Sequence, residues 1–177
     1  MTANLRSNIW AQVGWTWRDH VDAAPITDSN RLQFRKDLGD GSAAGQAEAV
    51  WHAESQTLND GNSTTLDLSA LEQDLFGDTL TISLLGVRGI LIVNSAASEG
   101  CLLVGGAGAD PWYAPFGAAD DRVKVMPGGA LLLAHPEDGW DVEAGQTDLK
   151  IEADGGDATY DIAVLGTTTE SASSSGS

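Results

Sequence analysis

An all-β fold, an antiparallel β-sandwich of the jelly-roll kind, is what this sequence predicts, and three observations carry the expectation. Apolar and polar residues alternate with a period of two along most of the chain. Glycine-bearing turn signals separate the alternating segments at regular spacing. Helical periodicity is confined to one short segment.

The elements follow in order. Leu32 and Phe34 alternate with Arg31, Gln33 and Arg35, Leu66 and Leu68 flank Asp67, and Leu80, Ile82 and Leu84 alternate with Thr81 and Ser83. Val123 and Val125 flank Lys124, Leu149 and Ile151 flank Lys150, and Tyr160, Ile162 and Val164 alternate with Asp161 and Ala163. Each set places its apolar side chains on one face of a strand, as a half-buried antiparallel sheet requires. Two runs, Gly89–Val93 and Ala130–Ala134, are apolar throughout and predict central strands covered on both faces. Turn signals stand at Gly39-Asp40-Gly41, Asn59–Asn62, Pro127-Gly128-Gly129, Glu137-Asp138-Gly139 and Asp154–Asp157. Ser69 to Phe76, with Ser69 as N-cap and Glu72 three residues on, is the one predicted helix. No internal repeat is present.

The two ends differ from this body. Residues 1–30 hold Trp10, Trp15 and Trp17 among polar residues, with no sustained period, and Pro25 and Thr27–Asn30 mark a boundary. Residues 167–177 are almost wholly Thr, Ser and Gly, a composition that builds no core. The expected organisation is an extended N-terminal arm (1–30), a sandwich (31–166) and a flexible C-terminal tail (167–177).

Charge excludes several functions. The formal net charge is −17, with only three lysines. Repulsion on that scale opposes phosphate backbones and anionic lipid surfaces, so neither nucleic acid nor membrane is an expected partner. The acidity fits a saline habitat and fits simple solubility equally well. The single cysteine, Cys101, allows no intrachain disulfide and sits in an apolar run that predicts a buried thiol. The N-terminus lacks a basic stretch followed by an apolar one, so no signal peptide is expected.

Catalysis is not expected. His20, His52 and His135 are scattered and form no metal-ligand motif, no nucleophile elbow occurs, and Cys101 has no polar setting. No cofactor is expected either. Leu103–Pro111 has glycines at the first two positions of a dinucleotide loop, but Pro111 replaces the third and no helix follows, so it reads as a turn. The Asp-rich loops at Asp37–Asp40, Asn59–Asn62 and Asp154–Asp157 offer hard oxygen ligands without EF-hand spacing.

Binding is the stronger expectation. Tryptophan is costly to leave in water and is enriched where interfaces are anchored. In an extended segment Trp15 and Trp17 face one way and Thr16 the other. The arm either folds back on its own sandwich or docks on a neighbouring subunit; the polar linker and the cations Arg6 and Arg18 favour docking. Candidate partner-binding residues are therefore Trp10, Trp15, Trp17, Arg6 and Arg18. Trp112 and Tyr113, ahead of Pro115-Phe116, are a second aromatic candidate: an interface patch, a sugar-stacking platform or part of the core.

A series of short motifs runs in order through the body: Leu32-Gln33-Phe34, Leu38-Gly39-Asp40-Gly41, Val50-Trp51-His52 and Leu66-Asp67-Leu68. Leu103-Val104-Gly105-Gly106, Pro115-Phe116-Gly117, Val123-Lys124-Val125, Pro127-Gly128-Gly129 and Leu131–Leu133 follow, then Gly139-Trp140, Leu149-Lys150-Ile151 and Thr159–Ile162. From about Leu32 to Gly166 this series resembles a family of small tailed-bacteriophage virion structural proteins. The resemblance implies a capsid decoration or cement protein on the outer shell of a virion, made in a host bacterial cytoplasm. It implies the major capsid protein as partner and a homo-oligomer, of which a trimer is one form. A tail- or fibre-associated protein is the alternative within the virion, and a carbohydrate-binding module the alternative outside it. The resemblance carries over no site residues, and the arm lies outside it.

Overall fold

A computed structural model describes residues 4–21, 24–75 and 78–168. The described chain is all-β, with thirteen strands and no helix. In order these are β1 (Ser7–Val21), β2 (Ala24–Leu38), β3 (Ala49–Leu58), β4 (Ser63–Asp67), β5 (Leu71–Leu75), β6 (Asp78–Ile82) and β7 (Leu84–Asn94). They continue with β8 (Cys101–Gly105), β9 (Arg122–Val125), β10 (Ala130–Ala134), β11 (Trp140–Asp141), β12 (Asp148–Asp154) and β13 (Ala158–Thr168).

Two antiparallel sheets form the body. One runs β10-β7-β13-β3, with β11 pairing beside β10 on the same edge of β7; the other runs β4-β12-β8-β9. Taking the eight main strands in chain order, the first sheet reads sixth-third-eighth-first and the second reads second-seventh-fourth-fifth. That order is a jelly roll, two Greek keys folded into two facing sheets. The connection from β4 to β7 carries the small hairpin β5–β6, and a longer hairpin, β1–β2, precedes the first jelly-roll strand.

The core lies between the two sheets. Ile90, Ile92, Tyr160, Ile162 and Val164 on one side meet Leu102, Val104, Leu149, Ile151 and Ala153 on the other. Alternation drives this: along β12 and β13 every second residue is buried. Asn94 is a fully buried polar residue beside this core. Its amide donates to the carbonyls of Gly100 and Val125, which ties the end of β7 to β8 and β9.

Several expectations change. Ser69 and Ala70 form a turn, in which Asp67 Oδ1 accepts from the Ser69 N–H and hydroxyl, and Leu71–Leu75 is strand β5 rather than helix. Local capping chemistry lost there to cross-strand pairing with β6. Phe76, the end of that expected helix, lies outside the described residues. Ala130–Ala134 is an edge strand, not a central one. Gly89–Val93 is central within its sheet, yet Leu91 on its outer face is 41% exposed. Leu32 and Phe34 belong to no sandwich strand: they lie on β2, so the expected division at residue 30 falls inside that strand. At the other end β13 runs to Thr168, whose N–H and hydroxyl donate to Glu48 Oε1. Residues 169–177 lie outside the described residues.

Candidate docking surface on an amphipathic β-ribbon

Residues 7–21 and 24–38 build a two-stranded antiparallel ribbon in unbroken register from Ser7↔Leu38 to Val21↔Ala24. Fifteen residues per strand give it a length of about 50 Å. The expected extended arm of residues 1–30 therefore takes in all of β1 and the first part of β2. Pro25 and Thr27–Asn30, read as a linker, are paired residues of β2.

Directly opposed residues share a face, so the register sorts every side chain. One face carries Ile9–Lys36, Ala11–Phe34, Val13–Leu32, Trp15–Asn30, Trp17–Asp28 and Asp19–Ile26, apolar except for Asn30, Asp28 and the charged residues at its two ends. The other carries Gln12–Gln33, Gly14–Arg31, Thr16–Ser29 and Arg18–Thr27, with Trp10–Arg35 as its aromatic interruption. Trp15 and Trp17 do share a face with Thr16 opposite, as expected, while Trp10 points the other way. The signal was present in the sequence: Ile9, Ala11, Val13, Trp15 and Trp17 alternate strictly, and Trp10 masks the period. On β2 the same face continues through Ile26, Leu32, Phe34 and Leu38.

Only the root of the apolar face is covered. Ile9 and Leu38 are buried with Ala47, against Leu132, Ala134 and Leu165 on the outer face of the first sheet. A Cβ at Gly89 would stand 2.7 Å from Ile9 Cδ1, so a side chain there would push the Ile9 terminus out of its seat. Beyond the root the side chains face water: Leu32 is 72% exposed, Trp17 71%, Phe34 and Trp15 43% each, and Trp10 on the other face 61%. A fold-back of the tryptophans onto their own sandwich is therefore not observed. Trp15 is oriented by its indole N–H, which donates to Asp28 Oδ2 at 2.9 Å.

Charge separates ribbon from body. Residues 1–38 hold five of the nine Lys and Arg and four of the 26 Asp and Glu, a net of +1; the rest of the chain carries four against 22, a net of −18. Arg18, Arg31 and Arg35 lie together on the polar face of the ribbon. Arg6 lies outside β1, at the ribbon's root beside Asp37 and Leu38.

The root is held by a buried arginine that sequence reading missed. Arg88 on β7 donates from Nε to the carbonyl of Gln46 and from Nη2 to those of Ser42 and Ala43, which pins the loop between β2 and β3. Lys36 of the ribbon pairs with Glu137, beyond β10. Both contacts join residues far apart in the chain, and no local pattern announces them.

Other candidates resolve differently. Trp112 is 1% exposed, its Nε1 donates to the carbonyl of Asp141, and Phe116 and Trp140 pack edge-on against it. It is a core residue, so the expected surface patch of Trp112 and Tyr113 does not form; Tyr113 alone is half-buried. Asp60 Oδ1 accepts from Gly156 N, and Asp157 Oδ1 from Asp60 N, so two Asp-rich turns brace each other. Asp40 accepts from the Leu5 amide. Among the described residues no three of His, Cys, Asp and Glu converge on a common point. His52 is exposed, and His135 Nδ1 accepts from Gly139 N. Gly105 and Gly106 have φ of 96° and 99°, and they make the turn expected of them. No helix of the described residues is long and apolar enough to cross a membrane. No protein-family model matches the chain, and no curated protein matches it.

Proposed function

We propose that this protein is a non-enzymatic structural component of a tailed-phage virion, attached to the outer capsid shell as a decoration protein through its β-ribbon. The observation that carries this reading is the ribbon itself: a projecting two-stranded sheet with one uncovered apolar face. An isolated two-stranded hairpin is at best marginally stable in water, so such a ribbon needs something to lie on. Exposed tryptophans are the side chains that anchor protein interfaces.

The body supports the same reading. A jelly roll is a rigid two-sheet unit common in viral shells, and its function here needs no chemistry. With a net charge of −18 on the body and +1 on the ribbon segment, the body stays hydrated and apart from its neighbours while the ribbon reaches them. Trp15 and Trp17 on one face, and Trp10 with Arg18 on the other, supply anchors on both sides. The order of motifs shared with small phage virion proteins directs the choice of partner toward the major capsid protein.

The experiment is a shortened ribbon. Replacing Val13–Leu32 by Asn-Gly closes a two-residue hairpin between Gln12 and Gln33 and keeps the buried root. Intact and shortened chains are then sedimented with capsids that lack the protein. The expected result is co-sedimentation of the intact chain and at least a tenfold loss of affinity for the shortened one, roughly 1.4 kcal/mol. Equal binding by both, or by neither, overturns the reading.

A further inference from the structure

A second apolar surface lies on the body and is uncovered. On the outer face of the first sheet, cross-strand register places Leu132, Leu91, Ala163 and His52 in one row and Ala134, Gly89, Leu165 and Val50 in the next. The second row takes Ile9 and Leu38 at the root of the ribbon. The first row stays open beyond Leu132, which packs against the same root. It floors two shallow clefts of about 310 and 410 Å³ that share Leu91 and Ala163 and so run together as one groove. The groove starts beside Ile9 and Trp10 and leads away to Val50, Val93 and Asp161.

This explains why Gly89–Val93 reads as covered on both faces. The residues on both sides of β7 are those of a buried strand, while the chain by itself covers one side. The same holds for the ribbon, whose apolar face is buried at Ile9 and bare beyond it. Two incomplete apolar sheets thus leave a common root.

We infer that each completes the other between copies: the apolar face of one chain's ribbon seats on the outer sheet face of a second copy of this chain. Three features select a second copy as the occupant. First, the contact continues an interface already present, since Ile9 and Leu38 use the adjoining row of the same sheet within one chain. Second, the shapes fit. Clear of the row that Ile9 already fills, small Ala163 and Ala130 leave low ground beside Leu91, and the ribbon offers bulky Phe34, Leu32, Trp15 and Trp17. Third, the charge balance favours the ribbon over the rest of the chain. The body carries −18 and Glu54 and Asp161 line the groove, so residues 1–38, with a net of +1, meet this surface with less repulsion than the body would, although Asp19 and Asp28 stand on the seated face. Arg18, Arg31 and Arg35 remain on the opposite face of the seated ribbon, where they lower the repulsion between two acidic bodies.

The area is sufficient. Six large side chains exposed on one ribbon face offer apolar surface on the order of 600 Å², and the Trp10 side and the groove rim bring this near the roughly 800 Å² per partner of a standard interface. Reciprocal exchange between two copies, or cyclic exchange among three, leaves no ribbon unseated. In such an oligomer the apolar face is occupied by the second copy, so a capsid would be met by the opposite ribbon face, with Trp10 and Arg18; the inference itself does not depend on a capsid.

The test uses the full purified chain without capsids. Interfaces of this size range from micromolar to picomolar, so at about 100 μM the chain is expected to sediment as a dimer or trimer. Leu91→Asp, which blocks the groove, and the shortened ribbon, which removes the occupant, are each expected to be monomeric with circular dichroism like the intact chain. Mixed together they are expected to form a one-to-one complex, because the ribbon of the first finds the intact sheet of the second. If Leu91→Asp misfolds, Ala130→Asp at the exposed rim is the substitute. A monomeric intact chain overturns the inference. So does an oligomer that survives Leu91→Asp but is lost on shortening the ribbon, since that outcome means ribbon-to-ribbon packing. A monomer that still binds capsids leaves the shell reading standing, and an oligomer that ignores capsids overturns the shell reading alone.

Discussion

Single residues hold this molecule together in two different ways. Trp112 is packed edge-on by Phe116 and Trp140 and satisfied by the Asp141 carbonyl, so truncating it removes packing and leaves a cavity. Trp112→Ala is expected to cost about 3–5 kcal/mol in urea unfolding. Arg88 works through the backbone. Three loop carbonyls accept from it, and burying its charge is tolerable because those dipoles replace water. Arg88→Met keeps the packing of the stem and removes the donors. It is expected to cost about 2–3 kcal/mol, and hydrogen exchange at the amides of Gly45 and Ala47 is expected to quicken. Unfolding that matches the intact chain, with unchanged exchange, would show that the loop is held without it.

At the scale of elements, alternation was legible wherever one face of a strand meets the core, as along β12 and β13. It misled at β5, where a capping pattern outweighed a strand whose partner, β6, arrives only through pairing. It misled again at β1, where Trp10 interrupts an otherwise strict period. Pairing of both β9 and β12 with β8 also creates a titration link across that strand, between Lys124 and Asp154. The hydrogen bond from Lys124 holds the Asp154 carboxyl below the usual carboxylate range, with a further hydrogen bond from Cys101, and the same bond to Asp154 raises the Lys124 ammonium. A depressed carboxyl contributes stability above its ordinary pKa and loses it as pH falls; a raised ammonium contributes below its ordinary pKa and loses it as pH rises. The pair therefore favours the folded state across the neutral range, weakly because both side chains are half exposed. In an NMR titration, Lys124→Ala is expected to return Asp154 toward the ordinary carboxylate value.

For the whole molecule, the segregation of charge has its own consequence. A net of −18 on one compact body opposes its own folding, and salt screens that repulsion within about 10 Å at 0.1 M. The melting temperature is expected to rise by several degrees between about 0.01 and 0.5 M sodium chloride. A flat response would mean that the carboxylates lie too far apart to repel.

Composition and period by themselves determined that this chain is all-β, acidic in its body and rich in aromatic residues near its N-terminus, because those are properties of residues and their immediate neighbours. They also determined that Trp15 and Trp17 point the same way, since residues two apart on a strand do. Which surfaces end up covered was decided by tertiary structure alone. Trp112 went into the core and Trp17 into water although both are tryptophans with an aromatic residue close by in the chain, and Leu91 stayed open in a run that reads as buried. Burial depends on what arrives from distant parts of the chain, or from another chain, and no local spacing records that.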